Sequence, residues 1–178
     1  MDASDIFRLL KEIEFRSRHS AAGLPQQDEE REFWQGVVFS IGHERFVAGL
    51  GAIAEILNYP ASVTPVPGAK LWMRGIANIR GVLLPIIDLN AFLEAGLTAI
   101  SRRSRVLVFR HGTHEFGLLV GELVSMRHFD QLNRTDKREG KGQAFRYVTF
   151  GFDQEDSYWP VFSVEKLADS LEFQSAAI

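Results

Sequence analysis

The chain has 178 residues, 46% of them hydrophobic and 24% charged, with a formal net charge of -3 at pH 7. These are the proportions of a globular protein of one domain, or of two small lobes sharing a core, and they exclude disordered and fibrous classes. Cysteine is absent, which removes disulfides, thiolate zinc sites and cysteine nucleophiles from consideration, and the small negative charge offers nucleic-acid phosphates no general attraction.

The chain opens on MDASDIFRLLKEIEFRSRHS, where charges every few residues interrupt any run long enough for a secretory signal. No later stretch approaches the roughly 18 apolar residues of a transmembrane helix. A cytoplasmic location is therefore expected, with membranes reached only through partners. Ile6, Leu9, Leu10 and Ile13 recur at helical spacing, which predicts an N-terminal amphipathic helix whose narrow apolar stripe suits a barrel flank or a partner groove. Gly23 and Pro25 end it, and Gln26–Glu32 reads as a linker, so residues 1–32 form a separate N-terminal unit.

From Gln35 onward, short apolar runs alternate with turn residues, which is an all-β pattern. Strands are predicted over Gly36–Ile41, Arg45–Leu50, Met73–Ile79, Val82–Leu89, Arg105–Arg110, Glu115–Val124, Arg146–Phe152 and Tyr158–Ser163. Gly42-His43 and Arg80-Gly81 read as hairpin turns, where glycine supplies positive φ. Pro85 lacks an amide donor, so its strand should carry a bulge or lie at an edge. Leu89–Ala95 and Val164–Leu171 read as short connecting helices, and Pro60–Gly68 and Arg127–Gln143 as loops. The body then spans residues 33–173, with a tail at 174–178.

Catalytic chemistry finds no footing in this pattern. His111 and His114 flank Gly112-Thr113 in an expected turn, where a solvated role is the simplest, and no HExxH helix offers a metal site. Neither a GxSxG elbow nor a phosphate-binding P-loop occurs; Gly140-Lys141-Gly142 sits in a polar loop. Asp88 precedes a short helix and reads as its cap. Gly117 and Gly121 read as sites of close packing or a bulge. The clusters Arg102-Arg103-Arg105 and Lys137-Arg138-Lys141 keep open a small-barrel nucleic-acid-binding module, which would also need stacking aromatics. No enzyme activity, cofactor or metal is expected.

The run Trp72-Met73-Arg74-Gly75-Ile76-Ala77-Asn78-Ile79-Arg80-Gly81-Val82-Leu83-Leu84-Pro85-Ile86-Ile87-Asp88-Leu89 resembles the pattern of CheW-like domains: a GxxNxRG turn, an apolar strand containing proline, and a closing Asp-Leu. Ile53-x-Glu55-Ile56, Phe116-Gly117-Leu118-Leu119-Val120 and Val161–Leu167 fall at matching distances, and the resemblance covers about residues 35–171. It implies two small five-stranded SH3-like barrels sharing an apolar interface, with no catalytic centre. It further implies an adaptor that couples the cytoplasmic tip of a methyl-accepting chemoreceptor to the regulatory domain of a CheA-type histidine kinase, recruited to membrane-associated receptor arrays and not to nucleic acid. The N-terminal extension, Trp72, Ala77-Asn78 and Arg127–Phe129 look like the PilI-type members of type IV pilus chemosensory systems, which control twitching motility. A flagellar chemotaxis coupling protein is the alternative within the family. No receiver domain is seen after residue 171, so a CheV-type fusion is not expected. By the resemblance, the partner-binding residues are Ile53, Glu55, Ile56, Asn78, Arg80 and Gly81. Asn78 and Gly81 also have a purely local reading as turn formers, and the two isoleucines as core.

Overall fold

Alternation of side chains along the strands distributes the apolar residues over three buried clusters. In a strand, neighbours point to opposite faces, and here both faces are covered. A computed structural model describes residues 32–175; the expected N-terminal helix and most of its linker lie outside the described residues, as do positions 176–178 of the tail. The elements in chain order are β1 (Phe33–Ile41), β2 (Glu44–Gly49), β3 (Ile53–Asn58), β4 (Met73–Ile79), β5 (Val82–Asp88), α1 (Leu89–Phe92), β6 (Arg105–His111), β7 (His114–Val120), β8 (Leu123–Asp130), β9 (Arg134–Thr135), β10 (Val148–Gln154), β11 (Ser157–Phe162), α2 (Val164–Ala168) and α3 (Leu171–Gln174).

Two sheets result, in the orders β8-β1-β2-β11-β10-β9 and β3-β6-β7-β5-β4. The second lobe is continuous in sequence, whereas the first is assembled from both ends of the described chain. Each sheet curls so that its flanks meet. In the first, Gln154 on β10 reaches β8, accepting from the Asp130 amide and donating to the His128 carbonyl, both at 3.1 Å. In the second, Thr64 beyond β3 exchanges two 2.9 Å amide–carbonyl bonds with Ile76 on β4.

Val38, Val47, Phe129, Phe152, Trp159 and Val161 fill the first lobe. Ala77, Leu84, Ile86, Val106, Val108 and Leu119 fill the second. The intervening strand positions, among them Phe39, Phe46, Leu107, Phe109 and Leu118, join a third cluster between the lobes. The all-β, two-lobed architecture read from sequence is thus present, with the two-residue β9 added to five longer strands of the first sheet.

Several boundaries differ from expectation. Glu115–Val124 is not one strand: β7 ends at Val120, and Gly121 separates it from β8. The segment from Arg127, read as a loop, continues β8 to Asp130. Its Arg127 faces inward with its guanidinium over Trp159, 4.5 Å from the ring centre, and its head on Glu155 at 2.8 Å. A long cationic side chain can line a core while its charge reaches solvent, so its presence did not mark a loop. β3 was also unread, because Glu55 stands on its half-buried face and Ile56 on its exposed one, so apolar and polar residues do not alternate along it. Pro85 lies on β5, an inner strand between β4 and β7. Pairing to β7 begins only at Ile86, and Ile76 opposite Pro85 turns its amide to Thr64, so no ladder bond needs the missing donor. The bulge lies across from it instead, at Arg74 of β4. The last predicted helix is divided, α2 ending at Ala168 and α3 beginning at Leu171 with Phe173 stacked on Trp72. Gly117 is confirmed as a close-packing site, since a Cβ there would lie 2.4 Å from Val106 Cγ1.

Candidate partner-binding site

The β4–β5 hairpin carries most of the residues singled out by sequence. Its two turn residues both have positive φ, 52° at Arg80 and 87° at Gly81, as two-residue hairpins of matching twist require. Asn78 Oδ1 accepts from the Gly81 amide at 2.8 Å, so Asn78 builds the turn. Arg80 projects from the tip, 77% exposed, and its Nη2 lies 2.8 Å from Glu55 Oε1 on β3. The structure therefore brings Glu55, Asn78, Arg80 and Gly81 together across the seam between the two edge strands of the second sheet. Ile56 follows Glu55 and is exposed. Ile53 stands apart: it is partly buried and packs against the cluster between the lobes.

Sequence reasoning missed Val82 and Leu83, which are 53% and 68% exposed at the foot of the turn. A signal existed. Five successive apolar residues from Val82 to Ile86 in a strand cannot all face one interior; Leu84 and Ile86 point inward, so Leu83 and Pro85 must face outward. Their face opens on a groove of about 980 Å³ whose apolar lining includes Trp72, Ile76, Leu83, Pro85, Phe116 and Phe173. Arg110 and Glu115, paired with each other, stand in its wall. His111, expected to be simply solvated, places Nε2 3.1 Å from Asp169 Oδ1.

At the other end of the same hairpin lies a buried polar knot. Asp88 is fully buried. Its Oδ1 accepts from the Ala91 amide at 3.2 Å and from the Thr98 hydroxyl at 2.6 Å, confirming the cap role. Its Oδ2 accepts from the Thr98 amide at 2.9 Å and pairs with the Arg74 guanidinium at 2.8 Å. Arg74 Nη2 also donates to the Thr98 carbonyl at 2.8 Å. Every lone-pair direction of the carboxylate is used, which is the condition for a buried charge to be tolerated.

Among the described residues no three histidine, aspartate or glutamate side chains stand close enough together to hold a metal ion. Among the same residues no helix is long and apolar enough to cross a membrane. What the hairpin presents is a tip with one exposed guanidinium, an apolar flank and an adjoining apolar groove.

The family model for the CheW-like domain matches residues 35–172. The chain is 37% identical over 177 residues, 99% of each sequence, to Protein PilI of Pseudomonas aeruginosa. It is 34% identical over 117 residues, covering 65% of this chain and 68% of the other, to the chemotaxis protein CheW of Helicobacter pylori. Among solved structures, the scaffolding protein TtCheW from Thermoanaerobacter tengcongensis superposes with a TM-score of 0.69 at 19% identity, covering 84% of this chain and 96% of that one, a likeness of fold.

Proposed function

The chain belongs to the CheW-like domain family, and from that premise we propose that it is a non-enzymatic coupling adaptor of a type IV pilus chemosensory pathway, joining the cytoplasmic tip of a chemoreceptor to the regulatory domain of a CheA-type kinase. The 37% identity to PilI over nearly the whole length of both chains supports the choice of pathway. The likeness to CheW proteins supports these general classes of partner, and a cytoplasmic site of action at receptor arrays belongs to the same reading.

One observation carries the assignment of the contact face to the β4–β5 tip, with Glu55, Ile56, Arg80, Val82 and Leu83. Arg80 occupies the left-handed region, where a non-glycine residue costs roughly 1–2 kcal/mol and asparagine or aspartate would fit better. Glu94 and Glu155 share this conformation; what sets Arg80 apart is that it stands 77% exposed at the tip beside the exposed Val82 and Leu83. Its planar fork suits a partner carboxylate or backbone carbonyls, and the exposed Val82-Leu83 flank supplies apolar area beside it. Asn78 and Gly81 serve the face indirectly by holding the turn, and Ile53 by anchoring β3.

The decisive experiment is co-purification of the full chain with the regulatory domain of the CheA-type kinase and with the receptor's cytoplasmic fragment from the same organism. Retention of both by wild type, with Leu83→Glu losing at least about tenfold in affinity for one of them, is the expected result. Failure of wild type to retain either partner would remove the adaptor reading. Unchanged binding by a folded Leu83→Glu would move the contact face elsewhere.

A further inference from the structure

The loop from Leu93 to Ser104, between α1 and β6, has no regular element, yet it is held at several points. Thr98, 4% exposed, is locked to Asp88 and Arg74 by the bonds described above. Ser104, 1% exposed, accepts from the Ser101 amide at 2.9 Å and donates to the Ala99 carbonyl at 3.4 Å. Arg105 spends its guanidinium on the Arg102 and Ser104 carbonyls, at 2.7 and 2.9 Å. Beside these anchors Leu97 and Ile100 stand 61% and 51% exposed. Anchoring lowers the ordering cost of any complex.

The charge on this loop identifies the kind of partner. Arg103 meets Glu122 only at the surface, at 3.3 Å with 78% of its side chain exposed, and among the described residues the Arg102 guanidinium meets no acceptor. Two apolar side chains followed by two accessible guanidinium groups, on a chain of net charge -3, complement an acidic segment carrying its own apolar residues. Nucleic acid fits less well. The third arginine of the cluster is consumed by backbone carbonyls, and the loop, from Leu93 to Ser104, has no aromatic side chain to stack on bases.

We propose that the Leu97–Arg103 loop is a second docking surface, separate from the β4–β5 tip, for an acidic segment of a protein partner that carries its own apolar residues. Leu97 and Ile100 pack against those apolar residues, and Arg102 and Arg103 engage the carboxylates.

The test uses the full chain, isotopically labelled, titrated with a synthetic peptide of leucine and glutamate, and in parallel with the same peptide bearing lysine for glutamate. Amide shifts confined to the loop, affinity for the acidic peptide that weakens as salt rises, and a loss of at least about tenfold in both Leu97→Ser/Ile100→Ser and Arg102→Glu/Arg103→Glu are expected. Leu83→Glu, near the tip of the hairpin whose base holds Thr98, should leave this binding unchanged, which separates it from the adaptor contact. Equal binding of the lysine peptide, shifts elsewhere on the chain, or full binding by both folded double variants would overturn the proposal. So would tighter capture of a single-stranded oligonucleotide than of the acidic peptide, or self-association of the full chain that the double variants abolish without effect on peptide binding.

Discussion

Two arginines of the β4–β5 hairpin each pair with a carboxylate, and the pairs differ in everything burial controls. Arg74–Asp88 sits at its base with the carboxylate fully buried, and Arg80–Glu55 at its tip with the guanidinium 77% exposed. Both close at 2.8 Å. At the base, removal from water makes each lost partner costly, so the pair is bound into a network that fixes the hairpin, α1 and the following loop. At the tip, solvent screens the attraction, and the guanidinium remains available to another protein. Equal distances therefore carry unequal energies.

The largest effect should come from Asp88→Ala. It leaves the Arg74 guanidinium without its counter-charge and orphans the amides of Ala91 and Thr98, with an expected loss of about 3–5 kcal/mol in urea unfolding. A loss below about 1 kcal/mol would mean that the base pair behaves like the tip pair. Next is Gly75→Ala, beside the Arg74 bulge. Gly75 has φ 136°, and a Cβ there would lie 2.2 Å from the Thr64 carbonyl oxygen that helps close the second lobe. Backbone strain alone costs about 1–3 kcal/mol, and the melting temperature should fall accordingly; an unshifted melt would show that the bulge tolerates side chains.

Arg80→Ala should change stability by less than about 1 kcal/mol, because an exposed ion pair contributes little, while partner capture weakens. The reciprocal swap Arg80→Glu with Glu55→Arg sharpens the contrast. It restores a pair of opposite charges across the seam, so recovery of partner binding would show that pairing, and not the identity of the tip residue, is what matters. The smallest effect belongs to Tyr158. Burial, the largest cause, pushes its phenol above the usual value of 10.0, and the charges of Glu139 and Asp153 add to this. The folded state then holds the proton more firmly than the unfolded chain. Stability is fully present below the unfolded tyrosine pKa and is lost as pH rises through the folded one. Tyr158→Phe should flatten that alkaline decline in a series of melts, and an identical decline in both proteins would assign it to other groups.

Much of the second lobe was readable because its signals are local. Strands β4 and β5, the Arg80-Gly81 turn, the Gly112-Thr113 turn and the Asp88 cap all depend on residues within one turn or hairpin of each other. The longer strands that escaped full reading, β3 and β8, are those whose inward face includes a charged side chain, Glu55 on β3 and Arg127, which lies over Trp159, on β8. The site divides the same way. Asn78, Arg80 and Gly81 were legible as a turn, but Val82 and Leu83 were read only as strand, since apolar composition does not say which residue will be left uncovered.

By itself the sequence determined the all-β class, the hairpin turns and the family pattern, because backbone conformation at a turn and alternation along a strand are set by steric terms acting over a few residues. Only the tertiary structure decided which of two similar arginines is buried, which leucines face water, and that Thr98 ties a long loop to Asp88. Exposure and polar pairing depend on what distant segments bring to cover each group, and local sequence contains no measure of that.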